Sequence, residues 1–69
     1  SLKIPEAEET IRLFASDVKQ PFALRLAAIA GLGDMGTTAD LTMLSEIQAS
    51  KGPLSKAAMA AIRKIKNKY

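Results

Sequence analysis

The residues whose types and spacing most suggest chemistry are the glycines of GLGDMG, residues 31–36. They form the G-x-G-x-x-G pattern that, between a strand and a helix, cradles the pyrophosphate of a dinucleotide. Here the preceding FALRLAAIA has helical character, and Lys56 stands about where an acidic ribose ligand is needed. We therefore interpret Gly31 as a packing position on a helix face that lets a neighbouring helix come close. We expect Gly33 and Gly36 to end that helix in the left-handed conformation.

Side chains that catalyse reactions or bind metals are scarce. The 69 residues contain no Cys and no His, which removes thiol chemistry and the commonest general base and metal ligand. The seven carboxylates form no pattern for acid–base work, and Glu6, Glu8 and Glu9 crowd a helix N-terminus, where the helix dipole accounts for them. The hydroxyl side chains have no histidine to activate them. We expect a non-catalytic chain that needs no cofactor or metal.

Charge is distributed unevenly along the chain. All seven acidic residues lie before residue 51, whereas six of the ten Lys and Arg lie within residues 51–69. Lys56, Arg63 and Lys66 fall on one side of the last helix and form a candidate patch for an anionic partner. The alternative is a solvated helix end, with lysines at the negative pole of its dipole. We expect weak, non-specific nucleic-acid binding at most.

Targeting signals are not visible in the sequence. No apolar run has the length of a membrane span, and the first residues lack the pattern of a signal peptide. The default expectation is a soluble, cytoplasmic chain that does not engage a membrane.

Four helices are predicted to position these residues. Pro5, Pro21, the capping-box sequence Thr37–Asp40 and Pro53 mark helix starts at an even spacing. The predicted helices span residues 6–17, 21–33, 38–50 and 53–67, and residues at i, i+3, i+4 and i+7 give each helix an apolar face. These faces are Ile11, Phe14 and Val18; Leu24, Ala27, Ala28, Gly31, Leu32 and Met35; Leu41, Leu44 and Ile47; and Leu54, Ala57, Ala58, Ala61, Ile62 and Ile65. Strand-favouring residues are rare, so the fold class is all-α.

The second and fourth helices repeat one another. LRLAAIAGLGDMG, residues 24–36, aligns with LSKAAMAAIRKIK, residues 54–66, and a period near thirty is typical of stacked helical hairpins. The first copy resembles the A helix of HEAT-like repeats, closest to the short form of phycobilisome lyases, whose pattern runs V-R-x-x-A-x-x-A-L-G-x-I-G. The second copy departs from that pattern at Ser55, Arg63 and Lys66.

The resemblance covers about residues 6–66 and implies an α-solenoid. It assigns residues 6–69 to a HEAT-like repeat domain of about two hairpins, which is expected to be a fragment of a longer repeat protein. Residues 1–5 are then an N-terminal extension or a cloning remnant. The first helix is read as a B helix whose A partner is missing. That reading predicts partial exposure of Leu2, Ile4, Leu13 and Phe14, and self-association through this open end.

The function implied by the resemblance is a scaffold that binds another protein. B-type helices present the concave surface in such repeats, which makes Arg12, Ser16, Thr42, Ser45 and Glu46 the candidate interaction surface.

Two ion pairs are also expected. The resemblance implies a structural pair between Arg25 and Asp17, and the sequence places Glu8 and Arg12 at i and i+4 on an exposed helix face. Two other functions stay open: binding of nucleic acid or an acidic surface through the basic C-terminal helix, and a structural part of a larger lyase-like enzyme.

Overall fold

Four α-helices make up most of the computed structural model, which describes the backbone of residues 4–69 and the side chains of residues 6–69. The helices are α1 (Ile4–Ser16), α2 (Phe22–Met35), α3 (Leu41–Ala49) and α4 (Ser55–Lys68), and a 3₁₀ turn at Thr38–Asp40 leads into α3. Residues 4–69 contain no strand, so the prediction of an all-α fold with four helices is confirmed for them. None of these helices has the length and apolar character needed to cross a membrane.

The helices begin close to the predicted start signals. Helix α1 begins at Ile4, within the segment 1–5 that the sequence assigned to an extension. Pro21 is the N-cap residue of α2, so the helix begins one residue later than predicted. The capping box is confirmed, because the Thr37 hydroxyl accepts from the Ala39 N–H at 3.2 Å and the Asp40 carboxylate accepts from the Thr37 N–H at 3.0 Å.

The core lies where α2 and α4 meet and where each packs against a second helix. Helix α2 packs against α1 and α4, and α3 packs against α4. The buried apolar residues are Ala15, Ala28, Ile29, Leu32, Leu44, Leu54, Ala58, Ala61, Ile62 and Ile65. The predicted apolar face of the fourth helix is therefore largely correct.

The predicted face of the second helix is displaced by one residue. Its buried residues are Ala28, Ile29, Leu32 and Gly33, whereas the predicted Leu24 and Met35 are 44% and 42% exposed. Helix α2 is apolar on nearly every side, so its periodicity does not determine which side faces the core.

The glycines occupy different roles from those predicted. A Cβ built on Gly31 would lie 3.9 Å from the side chain of Ile11, an ordinary contact, whereas a Cβ on Gly33 would lie 3.1 Å from Ala61 Cα. Gly33 is thus the position where α2 and α4 approach closely. No described glycine has the positive φ of the left-handed backbone conformation. Gly36 is extended, and its N–H donates to the Leu32 carbonyl at 2.7 Å.

Two apolar residues near the end of α1 face solvent. Val18 was predicted to mark the face of the first helix but is 77% exposed, because α1 ends at Ser16 and Val18 lies in the following turn. Leu13 is 59% exposed and Phe14 is partly buried, which matches the partial exposure predicted for these two residues. Leu2 and the side chain of Ile4, which share that prediction, lie outside the described residues.

Candidate functional site

A groove of about 480 Å³ opens between the α1–α2 turn, the first turn of α2, helix α3 and the turn before α4. Most of its lining is apolar, and one cationic and one anionic side chain join it. The lining residues are Ser16, Val18, Gln20, Phe22, Arg25, Met43, Glu46, Ile47, Ser50, Gly52, Pro53 and Leu54. Concave apolar surfaces of this size with a few polar groups are typical of binding sites.

The α1–α2 turn holds Val18 outward at one side of the groove. Asp17 organises this turn: its carboxylate accepts from the Lys19 N–H at 3.0 Å and from Gln20 Nε2 at 3.2 Å. The Gln20 N–H also donates to the Asp17 carbonyl at 3.1 Å. Short polar side chains of this kind close turns by bonding to the backbone two residues later.

Arg25 fixes the first turn of α2 against the end of α1. Its Nε donates to the Ala15 carbonyl at 3.1 Å, which satisfies one of the carbonyls left free at the end of α1. The expected ion pair between Arg25 and Asp17 is a wrong prediction: the Asp17 carboxylate bonds within its own turn, and Arg25 bonds to the backbone instead. Arg25 is therefore a positioning residue that also lines the groove.

The opposite side of the groove is set by the α3–α4 turn. Ser55 Oγ donates to the Gln48 carbonyl at 2.7 Å, and Ser50 Oγ donates to the Ile47 carbonyl at 2.6 Å. Lys51 has a φ of 58°, the left-handed conformation that reverses the chain after a helix. These bonds place Pro53 and the buried Leu54 at the groove.

The residues of the predicted interaction surface do not all lie at one site. Ser16 and Glu46 both line the groove. Thr42 and Ser45 are exposed on α3 but do not line it. Arg12 is partly buried in an ion pair. The apolar lining residues were not predicted as interaction residues: Val18 was assigned to an apolar helix face, and Phe22 was assigned to no site.

The ion pair of Arg12 joins α1 to the start of α3. Arg12 Nε donates to Asp40 Oδ1, and a guanidinium Nη donates to Asp40 Oδ2 at 3.3 Å. The expected contact with Glu8 is present at 3.7 Å. Asp40 is only 2% exposed, and burial by itself raises its pKa. The hydrogen bonds from Arg12 and Thr37 outweigh that effect, so the Asp40 pKa lies below its ordinary value.

The basic residues of the C-terminal helix α4 fall into two groups by their contacts. Lys56, Arg63 and Lys66, the predicted anionic-partner patch, are all exposed. By contrast, Lys64 Nζ lies 3.1 Å from Asp34 Oδ1, and Lys68 Nζ donates to the Asp34 carbonyl at 2.7 Å. The second pair of lysines therefore holds α4 against the C-terminal end of α2.

Neither a cluster of metal-binding side chains nor a match to a known protein identifies a further site. Within the part of the chain that the structure describes, no group of three or more His, Cys, Asp or Glu side chains could hold a metal ion. Comparison of the chain with protein family models, with curated proteins and with solved structures found no match. The groove and the exposed charges of α4 are therefore the two features that bear on function.

Proposed function

We propose that this chain is a non-catalytic protein-binding module built from two HEAT-like helical hairpins, and that the groove holds a short apolar segment of a partner protein. The observation that carries the proposal is the exposure of two large apolar groove residues: Val18 is 77% and Phe22 is 51% exposed. Val18 lies in the hydrogen-bonded α1–α2 turn, and Phe22 is the first residue of α2. Fixed apolar side chains at a concave surface favour association, because covering them removes apolar area from water.

The hairpin assignment is supported by the order of packing. Helices α1 and α2 pack together, as do α3 and α4, and α2 packs against α4. The Cα trace measures 37 × 27 × 16 Å. Two helix layers with axes about 10 Å apart give a trace about 15 Å thick, so the smallest dimension fits two stacked hairpins.

The charges of the groove favour a peptide over a purely apolar ligand. Arg25 and Glu46 supply a cation and an anion to the same surface. Arg25 has donors beyond its Nε, and a carboxylate accepts only, so together they can satisfy both the carbonyl and the N–H groups of a bound backbone. Apolar partner side chains would then contact Phe22, Met43 and Ile47.

Binding of nucleic acid through α4 is the second candidate, and its support is narrower. Lys56, Arg63 and Lys66 are exposed, and the last third of the sequence contains no acidic residue. However, the patch occupies a single helix, and Lys64 and Lys68 are engaged by α2. A footprint of so few cations gives weak binding with a small salt dependence.

Selection from a random peptide library against the whole immobilised chain tests the proposal. We expect enrichment of short sequences rich in apolar residues. Phe22→Ser should weaken binding of a selected peptide at least tenfold, because truncating a central aromatic anchor costs about 2 kcal/mol or more. Tyr69→Ser is the matched control: Tyr69 is 71% exposed but lies outside the groove, and its loss should leave affinity unchanged. The proposal is wrong if no peptide is enriched, or if both variants bind like the parent.

A further inference from the structure

The guanidinium of Arg25 has no ion-pair partner among residues 6–69. Its Nε donates to the Ala15 carbonyl, and this is its only hydrogen bond within that part of the chain. The ion pairs in the same range belong to Arg12 and Lys64. All seven acidic residues of the sequence lie within residues 6–69, so no acidic side chain of the chain pairs with Arg25.

The edge of the guanidinium that stays open is suited to a carboxylate. Because Nε is engaged by a backbone carbonyl, the two Nη groups keep their N–H donors, and side by side they can donate to both oxygens of one carboxylate. Arg25 is also partly buried at the groove. A carboxylate bound there would be attracted more strongly than on an open surface, where water and salt screen the charges.

Two acidic residues near the groove leave this edge unoccupied. The Asp17 carboxylate accepts from the Lys19 N–H and from Gln20 Nε2 within its own turn. Glu46 lines the same groove but forms no ion pair with Arg25. The groove therefore presents one cation and one anion that do not neutralise each other directly.

We infer that the partner segment carries an acidic side chain, whose carboxylate binds the Nη edge of Arg25 while apolar residues beside it contact Phe22 and Ile47. The inference deepens the proposed function and rests on it, because it specifies the chemistry of the segment that the groove holds. A phosphorylated segment fits less well. Arg25 is the one cation among the described lining residues, so it can neutralise a carboxylate, whereas Glu46 would repel the second charge of a phosphate.

Peptides from the library selection test this chemistry first on the partner's side. They are synthesised with amidated C-termini, so that only side chains supply carboxylates. We expect the apolar sequences to contain an Asp or Glu, and changing it to Asn or Gln should weaken binding to the parent chain by about tenfold or more, since hydrogen bonds between charged groups are strong. This change alters the peptide alone and leaves the fold of the chain untouched.

A double-mutant cycle measured by calorimetry then locates the contact. Arg25→Gln should weaken binding of the acidic peptide by a similar factor, and should affect the Asn or Gln peptide far less. Lys19→Gln is the matched control: it removes the same charge from the adjacent α1–α2 turn, at an exposed residue that does not line the groove. It should leave both affinities nearly unchanged. Circular dichroism of each variant checks that its helices are intact.

Failure of this inference is distinguishable from failure of the proposed function. Selected peptides that Phe22→Ser weakens, but that lack an acidic residue or show no coupling to Arg25→Gln, would overturn the inference and leave the peptide-binding groove in place. Equal losses in Arg25→Gln and Lys19→Gln would also overturn it, because they would indicate a general attraction to positive charge. A selection that enriches no peptide would overturn both proposals.

Discussion

Asp40 joins three segments of the chain at one buried carboxylate. It accepts from Arg12 of α1, accepts from the Thr37 N–H, and stands where the 3₁₀ turn passes into α3. Asp40→Asn keeps the shape of the side chain but removes the charge that Arg12 needs. We expect a loss of about 1–3 kcal/mol in the free energy of unfolding, measured by urea denaturation. Asp34→Asn, which removes an exposed carboxylate, is the control and should change stability little.

The pH dependence of stability follows from the same carboxylate. Because its folded-state pKa is depressed, Asp40 stabilises the fold above its ordinary unfolded pKa of about 3.9, and that contribution disappears as pH falls through the lower folded value. The thermal midpoint of the parent should therefore exceed that of Asp40→Asn at neutral pH and converge on it in acid. A gap that stays constant from neutral to strongly acidic pH would contradict this assignment.

The two glycines of α2 that differ in packing should respond oppositely to substitution. Gly31→Ala places a methyl group in ordinary contact with Ile11 and gains helix propensity, so stability should rise by up to about 1 kcal/mol. Gly33→Leu forces a large side chain against the backbone of Ala61 and should cost about 1–3 kcal/mol. Thermal melts of the two variants measure both effects. If Gly31→Ala is the more destabilising change, α2 faces α4 with a different side.

At the level of the helix connections, the α3–α4 turn contains a residue under backbone strain. Lys51 adopts a positive φ of 58°, a conformation that costs a side-chain-bearing residue about 1–2 kcal/mol. Lys51→Gly should relieve that cost and raise the thermal midpoint by a few degrees, after the larger entropy of glycine in the unfolded chain is subtracted. Gly52→Ala is the neighbouring control: Gly52 has no positive φ and an added Cβ meets only Ser50 Oγ at 3.7 Å, so it should not destabilise.

The helices themselves were predictable because their signals are local. Proline and the Thr37–Asp40 capping box act within one turn, and the strongly two-sided α4 shows its buried face by periodicity. Which side of α2 faces the core was not predictable, because a helix with apolar residues on all sides can pack against a core in more than one rotation about its axis. The Arg12–Asp40 pair spans 28 positions, and no local pattern distinguishes it from the nearer Glu8 contact.

At the scale of the whole molecule, the basic residues of the last part of the sequence are concentrated on α4. The exposed Lys56, Arg63 and Lys66 predict weak retention on DNA that declines as salt is raised. Reversing all three to glutamate should abolish that retention while leaving helix content and thermal midpoint nearly unchanged, since none of them is buried. Gradient elution from a DNA column measures the effect. Tight, sequence-selective binding that the triple change abolishes would instead favour the nucleic-acid function.

The groove illustrates what sequence alone could not provide. It brings together Val18 and Phe22 of one hairpin with Met43 and Ile47 of the next. The sequence assigned Val18 and Ile47 to apolar helix faces and assigned Phe22 and Met43 to no site, and only the relative position of the helices brings the four residues to a shared surface. Ser16 and Glu46, which the resemblance placed on the concave surface presented by B-type helices, do line the groove.

The most direct test of the proposed function is an NMR titration of the isotope-labelled chain with a peptide selected for binding. We expect the largest chemical-shift changes at Val18, Phe22, Met43 and Ile47, and we expect Phe22→Ser to suppress all of them together. Changes confined to Lys56, Arg63 and Lys66, or spread evenly over the four helices, would contradict it.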